Sequence, residues 1–356
     1  MADAGPGDIT RPEPPAATGA VAGPGRRRPR FPRRRVGALA AGCAVLVVVA
    51  SPAPASPRPP RDLVVTSDVD LFYRVYDAAG GAPSAAQLDR DYLAAGTPAL
   101  RRFAAERRVT GARIAAALAE RPAVYEQARA CLAVLPGARR RLAAAFASLA
   151  RLYPKARLAP VTFVVGRGRP VGMTDEAGVT MGLEALCAAD FMDPDLEARF
   201  VHTIAHEYGH LQQPHLPDDA PPPTLLAASL REGAAEFTAE LISGAVGNHQ
   251  HLAWTKGREA AIEAAFARDL DSTDLSRWIG NGPGDAQHPG DLGYWVGYRI
   301  VKAYYARAPD KARALAEIYA LPDPRAFLAA SGWRPAAASQ VPAASTPHPT
   351  GVDLRP

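Results

Sequence analysis

His206 and His210 stand four residues apart with Glu207 beside the first, in the run His206-Glu-Tyr-Gly-His210. Leu196, Phe200, Ile204 and Leu211 recur around them as the apolar stripe of a helix. Asp193-Pro194 reads as an N-cap followed by proline at the first helical position, and Pro214 closes the run after about Gln213. Four helical residues make about 400° of rotation and ~6 Å of rise, so both imidazoles leave one face, one turn apart. That spacing lets them chelate one zinc ion at about 2.0–2.1 Å. Glu207, offset by one residue, falls beside such a metal, where it can take a proton from bound water. The plainer reading is two surface histidines beside a helical glutamate. His202 lies on the same face one turn earlier, too poorly placed on a straight helix to be a third ligand. It reads as packing or as a partner behind the ligands.

A catalytic zinc site needs a third protein ligand. Leu230-Arg-Glu232-Gly-Ala-Ala-Glu236-Phe lies in a further predicted helix, about Thr224 to Ser243. Glu232 follows His210 by 22 residues, a span that suits a loop and a returning antiparallel helix. Gly233 and Ala234 permit close approach. Glu236, one turn on, reads as the carboxylate that accepts a zinc histidine's spare N–H. The reverse assignment, with Glu236 as the ligand, stays open, as does a simple solvated helix face.

The rest of the chain frames these helices. Asp70-Leu-Phe-Tyr-Arg-Val-Tyr-Asp77 is a short aromatic element closed by Gly80-Gly81, and about Pro83 to Leu152 is helical, punctuated by Pro122, Pro136-Gly137 and Pro154. Val161–Gly166 is β-branched and aromatic, hence a strand. A short strand follows near Val171, and another over Gly178–Leu183. After a polar stretch rich in His and Gly that leads to Asp291, helices are predicted over about 292–307 and 311–319, with a last short one before Gly332. The fold class is therefore α+β and mostly helical, with a small mixed sheet. Cys131 and Cys187 read as a disulfide or as two separate buried thiols.

The chain's excess charge is local. Of 41 Lys+Arg and 36 Asp+Glu in 356 residues, eight basic and three acidic residues fall in 1–55, leaving 41 − 8 = 33 against 36 − 3 = 33. A neutral folded part argues against nucleic acid as a partner. Seven arginines between Arg26 and Arg35 precede the 15-residue apolar run Val36–Ala50 and an Ala53-x-Ala55 site. That is the pattern of a secretory signal, or of an uncleaved anchor tying the chain to the membrane. Leu39-Ala-Ala-Gly-Cys43 also resembles a lipobox. The expected organisation is a disordered arm plus signal over 1–55, one unit over 62–334 (a helical part to 155, then the zinc-site part), and a disordered tail over 335–356. The expected location is extracytoplasmic, and the oligomeric state is not readable.

HEYGH followed by REGAAEF resembles the gluzincin metallopeptidases, whose third zinc ligand is a glutamate on a second helix. Over about Ser67 to Tyr319 the chain is similar to a bacterial family of predicted zinc-dependent proteases. That likeness rests on SDVDLFYRVYD, RLYPKARLAPVTFVVGRG, GLEAL, HEYGHLQQ, REGAAEF and DLGYWVGYRIVKAYY. The family's Gly/Ser-rich stretch after the GR turn is here Arg169-Pro-Val-Gly172-Met-Thr174, a departure. The resemblance implies a zincin-like fold, one zinc per chain on His206, His210 and Glu232, and hydrolysis of a peptide or protein substrate with Glu207 as base. It also implies an edge strand that holds extended substrate, for which Gly178–Leu183 is the candidate. Glu184 then stands where aminopeptidases hold a free α-amine, or else merely ends the strand. An oxyanion at zinc needs a second electrophile, for which Tyr294 is the choice, with His288 behind it. Tyr294 also reads as core. The alternatives are a zinc amidase on cell-wall or small-molecule amides, and a non-catalytic envelope binding protein on the same fold.

Overall fold

The computed structural model describes residues 63–335 except 170, 218, 248, 283 and 285–288. The arm, the export signal, the lipobox at Cys43 and the tail after 335 lie outside the described residues. In chain order the elements begin with β1 (Val64–Val65) and α1 (Ser67–Ala78). The aromatic element is thus a helix, because Val69, Phe72, Tyr73 and Tyr76 fall on one buried face. Then come α2 (Ala85–Gln87), α3 (Pro98–Glu106), α4 (Gly111–Glu120), α5 (Pro122–Cys131) and α6 (Leu135–Leu152). Pro122 and Pro136 sit in the first turns of α5 and α6, where a missing N–H costs nothing. Cys131 and Cys187 are joined as a disulfide, with Cα atoms 6.3 Å apart.

At Val161 the pattern changes to strands: β2 (Val161–Val164), β3 (Gly172–Asp175) and β4 (Gly178–Gly182), followed by α7 (Leu183–Ala188). The sheet order is β1-β2-β4-β3, with β1 and β4 parallel to β2 and β3 antiparallel to β4. Every residue of β2 and β4 is buried, as befits short strands free of charged residues and covered on both faces. This corrects the expectation for Gly178–Leu183: β4 lies inside the sheet, and the edge facing the long helix is β3.

That helix, α8 (Leu196–Gln212), starts two residues later than the sequence suggested. Asp195 is the N-cap, accepting from Ala198 N at 2.7 Å, while Asp193 accepts from Asp195 N at 2.9 Å and so shapes the entry turn. α9 (Leu225–Ser243) is capped by Thr224 and ended by Gly244 at φ +74°, a left-handed stop that glycine adopts without strain. The polar stretch before Asp291 contains two helices that the sequence reading missed, α10 (His249–Thr255) and α11 (Glu259–Asp269). α11 carries Ile262 and Phe266 one turn apart and buried. α12 (Leu292–Arg307), α13 (Lys311–Ala320) and α14 (Pro324–Ser331) complete the chain. The protein is a mostly helical α+β fold with a small mixed sheet.

Two apolar cores meet at α9. One joins the N-terminal helices, the sheet and α8, and takes in Ala239 and Ile242 of α9. The other joins Leu226, Leu230 and Phe237 of α9 to α11, α12, α13 and α14. Small residues let the central helices touch. A Cβ on Gly209 of α8 would lie 2.6 Å from Ala235 Cα of α9, and one on Gly233 of α9 would collide with the backbone of Gly297 of α12. On the other side of α8, Tyr208 stacks on Phe146 at 3.9 Å and donates to the Ala159 carbonyl, locking the rotation of the helix.

Candidate metal centre

Locked in that rotation, α8 turns His206 and His210 toward α9. Their Nε2 atoms are 3.1 Å apart, and Glu232 Oε2 lies 3.1 Å from His210 Nε2 and 3.5 Å from His206 Nε2. The three form a nearly equilateral triangle, and they make up the cluster of ligand-type side chains able to hold one metal ion among the described residues. Tetrahedral ligands about 2.0–2.1 Å from zinc lie about 3.3–3.4 Å from one another, so the donor set fits that ion.

Both rings are held from behind. His210 Nδ1 donates to Gln213 Oε1 at 2.9 Å, and Gln213 Nε2 donates to the Arg231 carbonyl at 2.7 Å, which fixes the amide's orientation. His206 Nδ1 lies 3.0 Å from Glu236 Oε1, an ion-pair contact and not an aligned hydrogen bond. The proton on His210 Nδ1 leaves that ring's Nε2 lone pair facing the triangle, and the Glu236 carboxylate favours the same tautomer for His206. Glu236 Oε2 is 3.2 Å from His202 Nε2, and His202 Nδ1 is 3.1 Å from the Ala245 carbonyl. The structure therefore places Glu236 behind His206 and out of the triangle, with His202 one step further back.

The cluster is strongly coupled. Burial opposes a charge on His206, but the carboxylates of Glu232 and Glu236 outweigh it and hold the ring well above the usual histidine pKa. His210 is raised in the same way, against burial, by Glu232. Burial would raise Glu232 and Glu236, yet the neighbouring imidazoles pull both well below the usual carboxylate range.

Glu207 stands beside the triangle. Thr174 Oγ1 on the edge strand β3 donates to its Oε2 at 2.5 Å, and a side chain at Gly172 would collide with its carboxylate. A cavity of about 210 Å³ opens there, with Glu207, His206 and His202 on one wall and Tyr294 and Asp291 on another. The Tyr294 ring lies 6.1 Å from that of His206, inclined by 18°. Burial, then the carboxylates of Glu232, Asp291 and Glu236, push its phenol far up and keep it a donor. Asp291, the N-cap of α12, accepts from Gly280 N at 2.7 Å and so ties the preceding loop to this wall.

Two expected residues are not brought here. Glu184 is buried on α7, its Oε1 accepting from Gly166 N and Gly168 N at 2.9 Å each, and it does not line the cavity. It holds the β2–β3 turn from behind. His288 lies outside the described residues. Sequence reasoning missed Thr174, Gly172, Gln213 and Asp291. Gln213 is signalled by its place three residues after His210, but nothing in the spacing marks the others.

Comparison with known proteins bears on a different part of the chain. The family description of the gliding motility protein GldB matches residues 248–335. No curated protein and no solved structure matches the chain. The matching family is not a zinc metallopeptidase family, and its segment begins after HEYGH and REGAAEF. The resemblance to gluzincin metallopeptidases is therefore corrected, and with it the expectation of a metalloprotease that hydrolyses peptide bonds. The physical reason is that a five-residue helical spacing specifies where ligands point, not what the protein acts on. Among the described residues no helix is long and apolar enough to cross a membrane.

Proposed function

We propose that this chain is a cell-envelope protein built around one zinc ion held by His206, His210 and Glu232, with a zincin-like arrangement of mixed sheet, histidine helix and second ligand helix. The observation that carries this reading is the triangle of 3.1, 3.1 and 3.5 Å among three donors of zinc-ligand chemistry. The likeness of residues 248–335 to the gliding motility protein GldB supports an envelope role. So does the arginine-rich, apolar pattern of the first 55 residues. In this reading the protein binds a component of the envelope in the cavity beside the metal, and turnover is not required.

Bound zinc would supply Lewis-acid chemistry and acidify water. The chain's own residues orient that chemistry: Gln213 fixes the His210 tautomer, Glu236 sets a negative charge behind His206, and Tyr294 presents a protonated phenol to the cavity. One observation favours a second reading, a zinc amidase acting on cell-wall or small-molecule amides. Glu207 lines the cavity next to His206 without belonging to the triangle, and Thr174 holds its carboxylate in place. That is where a general base belongs.

The test is metal content of the purified full chain, followed by turnover of cell-wall fragments. About one zinc per chain, lost in Glu232→Ala, is the expected result for a three-ligand site. A wild-type chain that takes up no zinc after reconstitution at neutral pH overturns the proposal. Fragment cleavage that disappears in a zinc-retaining Glu207→Gln chain selects the amidase reading. A zinc-loaded chain without turnover leaves the binding reading.

A further inference from the structure

A second polar cavity, of about 470 Å³, lies away from the metal centre, where the β2–β3 turn reaches the α4–α5 corner. Arg113 of α4, Arg121 between α4 and α5, and Arg167 and Arg169 of the turn line it, together with Gly168 and Glu120. The turn is built to present these groups. Its Gly166 and Gly168 N–H groups are anchored from below by Glu184, and Gly168 takes φ +87°, which favours glycine. A Cβ there would lie 2.7 Å from the Arg121 guanidinium, which donates to the Arg167 carbonyl at 3.3 Å.

Two observations point to an anion site. Among the described residues no carboxylate forms an ion pair with any of the four arginines, although guanidinium groups so gathered repel one another. The Nε of Arg167 is sealed by protein and has no hydrogen-bond partner, so this guanidinium is not tied to a protein acceptor through that atom. Counting Glu120 and Glu184 as ionised still leaves 4 − 2 = two positive charges. A phosphate ester carries about −1.5 to −2 at neutral pH and offers oxygens that match planar guanidinium forks.

We propose that this arginine cavity binds a phosphate group, carried either by a soluble phosphate ester or by the headgroup of an anionic phospholipid. The site stands apart from the zinc-site reading and does not depend on it.

The experiment is calorimetric titration of the full chain with inorganic phosphate at low and at physiological salt, for the wild type, Arg167→Ala, Arg169→Ala, Arg113→Ala and, as a control outside the cavity lining, the exposed Arg74→Ala. One saturable site is expected, weakened about tenfold or more in Arg167→Ala and measurably in the other two cavity variants, as loss of charge-assisted hydrogen bonds implies, and unchanged in Arg74→Ala. Arg113 and Arg169 are exposed, so their variants carry the test if Arg167→Ala fails to fold. No saturable binding by the wild type, or equal affinity in all chains, overturns the proposal. Flotation with phosphatidylcholine vesicles, with and without phosphatidylglycerol, identifies the source. Arg26 to Arg35 can bind anionic vesicles in every chain, so only the difference between wild type and cavity variants counts. A difference competed by free phosphate assigns the headgroup, and phosphate binding without such a difference assigns a soluble ester.

Discussion

Gly209, inside the His206–His210 motif, gives the most direct test of how the triangle is held. Its Cα faces α9, and an added Cβ would lie 2.6 Å from Ala235 Cα and 3.1 Å from Ala235 Cβ. Carbon atoms pack at about 3.5–4.0 Å, so Gly209→Ala must part α8 and α9 by roughly 1 Å. Two effects oppose each other in stability. Alanine in a helix interior is favoured over glycine by about 1 kcal/mol. Overpacking a close backbone contact costs about 1–3 kcal/mol, and the atom met is main chain, which cannot swing aside. The net expectation is a loss of up to about 2 kcal/mol, or up to roughly 6 °C in Tm for a domain of this size.

The same displacement has a larger effect on metal. Glu232 hangs from α9 and the imidazoles from α8, so its 3.1 and 3.5 Å separations change by roughly 1 Å, against a zinc tolerance of about 0.2 Å. Zinc affinity should fall by at least the 10–100-fold that follows loss of an outer partner. Thermal unfolding in EDTA reads the first effect and chelator competition reads the second. A Gly209→Ala chain that melts with the wild type and binds zinc as tightly would refute the claim that the α8–α9 approach sets the site. A chain that melts lower but binds no less tightly would refute only the coupling to the metal.

Three further outcomes follow from the same contacts. Glu236→Gln should keep zinc at about 10–100-fold lower affinity, because it acts on His206 from behind; complete zinc loss in a folded chain would make Glu236 a ligand. In the metal-free protein His206 and His210 have raised pKa values, so their stabilisation is full below about pH 6.5 and is lost as pH rises through the raised values, while Glu232 and Glu236, being depressed, lose theirs only on acidification below about pH 4.3. The metal-free Tm should therefore fall as pH rises above about 6.5 while the Tm gain on adding zinc grows, since deprotonated rings are the ligands; scanning fluorimetry with and without zinc checks this, and parallel curves would contradict it. Reducing the Cys131–Cys187 bond, which spans 56 residues, should cost about 4 kcal/mol in the chain-entropy limit, and an unchanged Tm in Cys131→Ser/Cys187→Ser would show that the pair does not constrain the chain.

The helices and strands that carry strong periodicity were legible. β2, β4, α9 and α12 fall within a residue or two of their expected bounds, because β-branched, uncharged runs and Thr224 or Asp291 punctuation mark them. The start of α8 was misplaced because Asp193-Pro194 mimics a cap, whereas Asp193 accepts from Asp195 N and yields the cap to Asp195. α11 was hidden by the glycines and histidines around it, although Ile262 and Phe266 are spaced one turn apart. The edge strand was misassigned because strand order is a long-range property: nothing local says that β4 slips between β2 and β3. At the site, His206, His210 and Glu232 could be grouped from spacing on two helices. Thr174 and Asp291 could not, since each reaches the cavity only through packing of distant elements.

That packing ties the segment similar to GldB to the metal helices. α12 is pressed against α9 where a Cβ on Gly297 would collide with the Ser229 carbonyl and one on Gly233 would collide with Gly297. Side chains as small as these fix α12 at near backbone contact, and so fix Tyr294 and Asp291, at its N-terminal end, over His206. His202, His206 and Glu207 of α8 supply one wall of the cavity, and Asp291 and Tyr294 within 248–335 supply the facing wall, so neither stretch alone encloses a ligand. If the proposed reading holds, recognition is shared between the histidine helix α8, whose motif is legible in the sequence, and α12, whose placement depends on Gly233, Gly297 and Ser229.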